Sequence, residues 1–442
     1  MATTRAAFGV FKCFIWRRSV CTSSSSDIES LVEQLLEGTS TRSKASELQA
    51  LSQLAYCLRD NSEYYERALP ALPALLKLYN RKNADISALA RWALILLGHP
   101  LPLPSNGIRI LSIDGGGVRG IVPVLMLQEV ERMSGRRVHE LFDYVCGTST
   151  GSLLLALSCI RRDPLDSVEQ AYRSLCSEVF GTNTLVGITK LFLKQAFYDT
   201  EKFENILRGE EGFDQYLIDT ALDPLIPKVS FISTIASQPV LKPFVFRNYR
   251  HFPTSVKPSY RGSEDVKLWE AIRASTAAPG YFEEMPLTSY VHQDGGLLNN
   301  NPTAIALHEA QRIWRNNPIQ CVVSLGTGYA QGQSDDNNSS KWRDKLLNVI
   351  ASATDTEVVH TILLDLLPPS KYFRFNPILS EPITMDENRD EKLQLLTTET
   401  NAFVRSQEEK LKCAVTKLVE CKSKLKSFQQ WFSQCWDKLT GL

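Results

Sequence analysis

Apolar residues recur along this chain with two different spacings, and each spacing predicts a different kind of structure. From about residue 27 to residue 98 they recur every three or four positions, as on one face of a helix. Beyond that point, short and largely apolar runs that resemble strands alternate with stretches of helical spacing; the runs are residues 108–113, 141–146, 229–235, 244–249 and 321–325. Strands that alternate with helices indicate an α/β protein, a three-layer sheet with flanking helices.

These spacings divide the 442 residues into four segments. We predict a tail at residues 1–26 and a helical region with a proline-rich linker at 27–104. An α/β domain should follow at 105–380, and amphipathic helices at 381–442. The linker, residues 99–104, has proline at every second position, which ends a helix and stiffens the chain.

The helical region contains a weak internal repeat. Ala50-Leu51 and Ala88-Leu89 lie 38 residues apart (88 minus 50), and similar apolar patterns follow both pairs. Armadillo and HEAT repeats have periods of about 40 residues. One and a half repeats cannot form a free solenoid, because several units must stack to bury a core. We therefore expect a small armadillo-like cap docked on the next domain; a partner-binding role is the alternative.

Charge and cysteine content exclude several classes of protein. The 49 basic and 49 acidic residues cancel, whereas a nucleic-acid-binding protein usually has a basic excess. None of the ten cysteines forms a Cys-x-x-Cys pair, so a zinc site is not expected. Several of them lie in apolar runs, which indicates buried free thiols in a protein of a reducing compartment. No apolar run reaches the length of about 18 residues that a membrane-spanning helix needs.

The tail at residues 1–26 resembles a targeting segment. It has four basic residues and no acidic one, and it is rich in serine, threonine and aromatic residues. That composition is typical of a mitochondrial transit segment. Its apolar core, residues 13–16, is too short for a secretory signal. The alternative interpretation is a disordered tail.

The candidate nucleophile lies in Gly147-Thr-Ser-Thr-Gly151, between a predicted strand and a predicted helix. Gly-x-Ser-x-Gly at such a junction is the nucleophile elbow. The turn leaves no room for side chains at Gly147 and Gly151, and it lifts the hydroxyl of Ser149 above the end of the sheet. The alternative is an ordinary loop of small residues without a catalytic role.

A second glycine-rich stretch, Asp114-Gly-Gly-Gly-Val-Arg-Gly120, precedes the elbow by about 30 residues, as expected for neighbouring parallel strands. Gly115, Gly117 and Gly120 fit a dinucleotide-binding pattern. We do not favour a dinucleotide site, because the region lacks a second βαβ half. A P-loop is also excluded, because no Gly-Lys-Ser/Thr sequence follows. Instead, the turn at Gly115, Gly116, Gly117 and Gly120 should point bare N–H groups at one spot beside a helix N-terminus, where an oxyanion would be stabilised.

A third stretch provides a carboxylate. Residues 290–294 resemble a strand, which ends at Asp294 and is followed by Gly295 and Gly296. We expect Asp294 to lie at the same edge of the sheet as Ser149. An aspartate of a plain turn would be the alternative if this stretch stood alone.

Together the three stretches resemble the patatin-like phospholipase family. The glycine loop is similar to its oxyanion loop, Gly147–Gly151 to its nucleophile motif, and Asp294-Gly295-Gly296 to its Asp-Gly-Gly motif. The resemblance extends from about Arg109 to the C-terminal helices. Residues 271–282 and 324–328 also match the family, and residues 244–249, 352–357 and 372–377 resemble its calcium-independent eukaryotic members.

The resemblance implies a patatin-like catalytic domain that hydrolyses acyl esters of membrane phospholipids with a Ser149–Asp294 dyad. It also implies N–H groups of Gly116 and Gly117 at the oxyanion, an acyl-serine intermediate and no cofactor. Because a free aspartate is a weak base at neutral pH, we predict that the Asp294 carboxylate is partly desolvated and has a raised pKa. The rival is a Ser–Asp–His triad, whose histidine would be His308 or His360 by sequence order.

Other charged residues leave alternatives open. Arg119 could attract anionic head groups or form a surface ion pair. The acidic residues 386–391 lack the glycine and the terminal glutamate of an EF-hand loop, so we expect no metal site there. Calcium independence follows mainly from the resemblance.

The C-terminal segment carries a narrow apolar stripe with lysines on its other faces. The stripe steps by three and four positions through Leu411, Ala414, Leu418, Cys421, Leu425, Phe428, Phe432, Cys435 and Leu439. A docked helix is the favoured interpretation, followed by a helix on an anionic bilayer and a homodimer through this helix.

The function predicted for the chain is thus that of an intracellular, membrane-associated phospholipase, with mitochondria favoured over endoplasmic reticulum or peroxisome. The last residues, Thr440-Gly441-Leu442, are not the peroxisomal signal Ser-Lys-Leu. Two alternatives stay open. One is a neutral-lipid lipase or acyltransferase with the same residues, and the other is a helical-repeat interaction protein whose hydrolase domain is inactive.

Overall fold

The computed structural model describes residues 25–36, 44–181, 197–210, 212–252, 258–330 and 356–421. The chain forms two compact units. One consists of Met1–Leu101 with Tyr249–Lys257, and the other of Pro102–Asn248 with Pro258–Leu442. The boundary at Leu101 falls inside the proline-rich segment predicted as a linker.

The first unit is helical in its described part, as predicted. Its helices are α1 (Ser25–Leu36), α2 (Lys44–Asp60), α3 (Tyr65–Ala68), α4 (Leu72–Tyr79) and α5 (Ala84–Leu96). Leu51, Leu54 and Leu58 of α2 are fully buried, and the rings of Tyr56 and Trp92 meet edge to face at 5.2 Å. The helix α1 includes Ser25 and Ser26, which we had assigned to the tail. The armadillo-like arrangement stays a prediction.

The second unit is built on a mixed sheet of nine strands. Seven of them lie side by side in the order β10 (Tyr372–Phe375), β8 (Ile319–Leu325), β1 (Ile108–Ile113), β2 (Tyr144–Thr148), β3 (Lys228–Ile235), β4 (Lys242–Arg247) and β5 (Arg261–Ser263). The strands β10, β8, β1, β2 and β3 are parallel, and β4 is antiparallel to β3. Both β1 and β8 are buried along their whole length, as their apolar runs predict.

The two remaining strands of the sheet, β6 (Met285–Leu287) and β7 (Tyr290–Asp294), form a hairpin whose second strand is antiparallel to β3. On one side of β3, β2 pairs with residues up to Ile232, and β7 begins its pairing at the next residue, Ser233. The C-terminal ends of β2 and β7 therefore meet end to end beside β3. A separate short pair joins β9 (Tyr329–Ala330) to β11 (Ile378–Leu379).

Helices flank this sheet, so the predicted α/β fold is confirmed. They are α6 (Ile121–Ser134), α7 (Val138–Leu141), α8 (Thr150–Leu155), α9 (Leu165–Phe180), α10 (Thr200–Asn205), α11 (Leu268–Ser275), α12 (Gly296–Asn299), α13 (Thr303–Ile313), α14 (Thr356–Leu366), α15 (Asp390–Ser406) and α16 (Glu408–Val419). The helix α8 continues as a π-helical turn, Ala156–Arg161. No helix among the described residues has the length and apolarity to cross a bilayer.

One predicted strand begins later in the structure than its sequence suggests. Residues 141–146 were predicted as one strand, but Leu141 ends α7, and β2 begins only at Tyr144. Between them, Asp143 accepts hydrogen bonds from the N–H and the guanidinium of Arg109, at 2.9 and 2.8 Å. This ion pair, between residues 34 positions apart, holds Asp143 beside β1 and outside β2.

The C-terminal stripe is docked in its described part. Leu411, Ala414 and Leu418 are buried, and α16 packs against α6 and β8. The predicted helix is too long, however, because α16 ends at Val419. Cys421 is exposed and forms an isolated bridge with Ser105 instead of continuing the stripe. The later stripe positions, from Leu425 to Leu439, lie outside the described residues.

Candidate active site

Ser149 lies on a strained turn between β2 and α8. Its backbone has φ 52° and ψ −119°, a conformation that is costly for a residue with a side chain. A Cβ atom on Gly147 would collide with the backbone of Gly151, and one on Gly151 would collide with the carbonyl of Ile113. The predicted strand–turn–helix context of a nucleophile elbow is therefore present.

Asp294 is brought to Ser149 by the pairing of β7 with β3. Thr148 pairs with Ile232, and Asp294 pairs with Ser233, the next residue of the same strand. Ser149 directly follows Thr148, so the two side chains meet where the two strands end. The expected common edge is thus observed, although β7 runs opposite to β2.

The two side chains are hydrogen-bonded to each other. Ser149 Oγ donates to Asp294 Oδ2 at 2.6 Å, and the N–H of Gly296 donates to Oδ1 at 2.7 Å. Only 6% of Asp294 is exposed. Burial raises its pKa from 3.8 to about 6, although the hydrogen bonds from Ser149 and Gly296 lower it. The predicted raised pKa of this carboxylate is confirmed.

In the described part of the chain, no histidine hydrogen-bonds to Ser149 or Asp294. The ring of His292 is fully buried and is engaged at both nitrogens, by Ser233 Oγ at 2.9 Å and the carbonyl of Leu287 at 3.1 Å. Burial lowers the pKa of His292 to about 4. The two rivals from sequence order lie elsewhere, His308 against the ring of Tyr260 and His360 against Tyr372.

The glycine loop directly follows β1 and lies against Ser149. A Cβ on Gly115 would approach the Cβ of Ser149 at 3.1 Å, and Gly117 lines the same cavity as Ser149 and Asp294. Gly117 has φ +56°, which favours glycine. Within the described residues, the N–H groups of Gly116 and Gly117 donate to no protein acceptor. They are therefore available to an oxyanion.

The remaining glycines serve close packing. A Cβ on Gly120 would collide with Thr150, and one on Gly295 with the carbonyl of Ile232. Gly296 contributes the N–H that holds the Asp294 carboxylate. Among the predicted glycines, Gly117 thus combines a place in the cavity of Ser149 with a free N–H group, and its neighbour Gly116 also has a free N–H group.

A buried ion pair holds the start of the loop. Arg374 of β10 donates to both carboxylate oxygens of Asp114, at 2.9 and 2.6 Å, and their side chains are 2% and 1% exposed. Arg374 also pairs with Glu357 at 3.0 Å. Burial raises the pKa of Asp114 to about 6, although Arg374 lowers it. The sequence offered no signal for this contact between residues 260 positions apart.

Arg119 forms no surface ion pair with a described residue, and its attraction of anionic head groups stays a prediction. Its Nη1 donates to the carbonyl of Gly328 at 2.9 Å, and its Nε donates to the carbonyl of Gly116 at 3.4 Å. The guanidinium is half-buried and reaches back over the loop. It braces backbone carbonyls instead of facing solvent.

Three further hydroxyl groups support the site, and sequence reasoning gave them no role. Ser275 Oγ accepts the N–H of Ser149 at 2.9 Å and donates to the carbonyl of Ile232 at 2.6 Å. Thr150 Oγ1 donates to the carbonyl of Gly117 at 3.0 Å, and so does the hydroxyl of Tyr172. Ser275 lies in the stretch 271–282 that carries the family resemblance, the one signal that could have found it.

An apolar groove leads away from the pair. Ser149 and Asp294 lie in its wall. Its apolar lining includes Leu153, Leu175, Val179, Phe180, Phe203 and Phe282. The rings of Phe203 and Phe282 stack at 5.1 Å. A groove of this kind is complementary to an acyl chain.

Serine hydrolases with a triad activate the nucleophile through histidine, and here a carboxylate takes that position. Fold and site together define the class of α/β proteins with a serine–aspartate pair. Residues 111–307 match the family model described as patatin-like phospholipase, so the chain carries a patatin-family domain.

The chain is similar to several phospholipases. Calcium-independent phospholipase A2-gamma of Homo sapiens is 45% identical over 375 residues, 84% of this chain and 47% of that protein. Phospholipase A I of Arabidopsis thaliana is 31% identical over 75% of this chain and 30% of that protein. A cGAMP-activated phospholipase of Pseudomonas aeruginosa is 28% identical over 64% and 81%. This chain spans about half the length of the A2-gamma relative.

The described residues offer no group of three or more histidine, cysteine, aspartate or glutamate side chains that could hold a metal ion. The acidic stretch 386–391 is engaged otherwise. Asp386 accepts a hydrogen bond from Tyr198 at 2.7 Å, Glu387 pairs with Arg389, and Asp390 begins α15.

Proposed function

We propose that this chain is a calcium-independent phospholipase of lipid catabolism and membrane remodelling. It hydrolyses fatty acyl esters of membrane glycerophospholipids through Ser149 and Asp294. The observation that carries the proposal is the hydrogen bond of 2.6 Å between the two side chains, in the wall of an apolar groove. The names of the similar proteins support phospholipids as the substrate class and calcium independence.

In the proposed first step, Ser149 Oγ attacks the ester carbonyl and passes its proton to Asp294. The carbonyl oxygen becomes an oxyanion, and the N–H groups of Gly116 and Gly117 stabilise it. Collapse breaks the ester bond to the glycerol oxygen. Asp294 returns the proton to that oxygen, and the lysophospholipid leaves an acyl-Ser149 behind.

The second step reverses these roles. A water molecule gives a proton to Asp294 and attacks the acyl-serine carbonyl, so that the oxyanion forms again at the same N–H groups. Collapse releases the fatty acid, and Asp294 returns the proton to Ser149 Oγ. A carboxylate with a pKa of about 6 is suited to this work, because it is ionised at neutral pH yet more basic than a free aspartate.

No step in this scheme requires a metal ion or a cofactor, because backbone N–H groups supply the charge stabilisation. The partner is the phospholipid bilayer that contains the substrate. We further propose an intracellular, membrane-associated location, with mitochondria favoured over endoplasmic reticulum or peroxisome; a fluorescent fusion with and without residues 1–26 would test it. A homodimer through the C-terminal helix stays a prediction.

The test is fatty-acid release from phosphatidylcholine vesicles with excess chelator. We compare the unchanged chain with Ser149→Ala and Asp294→Asn, and with the matched controls Ser167→Ala and Asp166→Asn on the exposed start of α9. The proposal requires release by the unchanged chain and both controls, and loss in both site variants. Release only from triacylglycerol, or only to an acyl acceptor, would favour the lipase or acyltransferase alternative. No release at all would favour an inactive domain.

A further inference from the structure

The stretch Ser324-Leu-Gly-Thr-Gly328 has no role in the mechanism so far. It begins in the last two residues of the buried strand β8 and includes Thr327, of which 4% is exposed. Thr327 Oγ1 donates to the carbonyl of Gly115 at 2.9 Å. A Cβ on Gly116 would overlap the side chain of Thr327. Thr327 therefore lies directly against the glycine loop.

A hydrogen bond to a carbonyl also orients the N–H of the same peptide unit. The peptide is planar and trans, so its C=O and N–H point in opposite directions. The carbonyl of Gly115 and the N–H of Gly116 belong to one such unit. When Thr327 holds the carbonyl on one side, the N–H of Gly116 is directed to the other side.

The next peptide unit is held in the same way. Its carbonyl, that of Gly116, accepts the N–H of Arg119 at 3.2 Å and the Nε of Arg119 at 3.4 Å. The N–H in this unit is that of Gly117, which lines the cavity with Ser149. Each proposed oxyanion donor thus belongs to a peptide unit whose carbonyl is hydrogen-bonded on the side opposite the N–H group.

The two clamping side chains are themselves anchored to one segment. Arg119 Nη1 donates to the carbonyl of Gly328, the residue after Thr327, at 2.9 Å. The N–H of Gly328 in turn donates to Asn376 Oδ1 at 2.8 Å. The glycine loop is therefore held by two consecutive residues that follow β8, Thr327 and Gly328.

Such a clamp matters because three consecutive glycines resist rotation poorly. Glycine populates positive and negative φ about equally, so a Gly-Gly peptide flips at low cost. A flipped unit would present a carbonyl to the oxyanion in place of an N–H. One oxyanion donor contributes about 100- to 1,000-fold to kcat in enzymes where it has been removed.

We propose that Thr327 is a positioning residue for acyl transfer, which acts through the carbonyl of Gly115 to aim the N–H of Gly116 at the oxyanion. This inference rests on the proposed function of Ser149. It assigns a role to a hydroxyl that touches neither the substrate nor the reacting atoms.

The experiment compares Thr327→Val, which removes the hydroxyl but keeps the shape, with Thr327→Ser, which keeps the hydroxyl. The control is Thr400→Val, because the buried Thr400 also donates to a carbonyl, that of Leu396, but within α15. Kinetics are measured on a water-soluble ester, p-nitrophenyl butyrate, as well as on phosphatidylcholine vesicles. Binding is measured for a long-chain trifluoromethyl ketone, which forms a tetrahedral oxyanion on serine, and for the matching methyl ketone.

We expect Thr327→Val to lower kcat by about 10- to 100-fold while KM changes less than twofold, because only transition-state contacts are lost. Affinity for the trifluoromethyl ketone should fall by a similar factor, and affinity for the methyl ketone should not change. Thr327→Ser should recover kcat to within about threefold, and Thr400→Val should match the unchanged chain.

An unaltered kcat in Thr327→Val would overturn the inference. An equal loss of affinity for the two ketones would also overturn it, and so would a Thr327→Ser variant with a kcat as low as that of Thr327→Val. Both results would indicate a general packing defect. If the unchanged chain hydrolyses the soluble ester but not the vesicles, the proposal of phospholipids as substrate is wrong. The kinetics on the soluble ester then still test the role of Thr327. An unchanged chain inactive on both substrates would overturn both proposals.

Discussion

Ser149 Oγ and Asp294 Oδ2 lie 2.6 Å apart, although 145 positions separate the two residues in the sequence. The second oxygen of the carboxylate is held by the N–H of Gly296. The orientation of the carboxylate is therefore fixed before a substrate binds. Its burial has consequences for activity and for stability that can be measured separately.

We predict that kcat/KM falls as the pH is lowered through about 6. Asp294 must be ionised to accept the serine proton, and burial raises its pKa to about 6. The ionised fraction, and with it the rate, should fall about tenfold per pH unit below that value. Hydrolysis of a soluble ester between about pH 4.5 and 8.5 measures this; a rate that stays constant down to pH 4.5 would contradict it. A steeper fall would show that Asp114 also titrates.

Asp294→Asn should make the protein inactive but more stable at pH 8. A pKa raised from 3.8 to about 6 means that the folded state binds this proton more tightly than the unfolded state. Stability from this group is fully present below about pH 4 and is lost as the pH rises through 6. The loss amounts to about 3 kcal/mol for two pKa units.

Asparagine avoids this loss and can serve both hydrogen bonds, its oxygen to Gly296 and its amide to Ser149. Urea unfolding at pH 8 and at pH 4 should show a gain in the free energy of unfolding at pH 8 that disappears at pH 4. A variant less stable than the unchanged chain at pH 8 would argue against the buried charge.

Arg374→Met should destabilise the protein by about 3 to 5 kcal/mol, because Asp114 is left buried without its counter-charge. Adding Asp114→Asn removes that charge. The double variant should therefore recover part of the lost free energy of unfolding. Urea titrations of both single variants and the double variant measure the coupling, and simple additivity of the two losses would refute it.

Val179→Phe should shorten the acyl chains that the enzyme accepts. Val179 lines the groove, and a ring at this position takes space from the chain. We expect the ratio of kcat/KM for long against short acyl esters to fall about tenfold. The matched control is Val358→Phe on α14, where the side chain is 53% exposed. An equal change in both variants would speak against an acyl chain in this groove.

His308→Ala and His360→Ala should each retain kcat within about threefold. Neither ring hydrogen-bonds to Ser149 or Asp294; His308 contacts Tyr260, and His360 contacts Tyr372. The pH profile of each variant should match that of the unchanged chain. A loss of about 100-fold or more in either variant, with the fold intact by circular dichroism, would restore the triad as the mechanism.

Features that depend on neighbouring residues in the chain could be predicted from the sequence alone. The elbow at Ser149 could be predicted because its tight turn requires glycine on both flanks. The strands β1 and β8 could be predicted because a strand buried on both faces is largely apolar. The raised pKa of Asp294 could also be predicted, since the proposed chemistry needs a stronger base than a free aspartate.

Only the tertiary structure decided how these pieces meet. The contact of Ser149 with Asp294 depends on β7 pairing antiparallel with β3 where β2 ends. The ion pair of Arg374 with Asp114 and the hydrogen bond of Thr327 to Gly115 likewise join distant segments. Strand pairing and burial bring such residues together, and these contacts cannot be predicted from the positions of the residues along the chain.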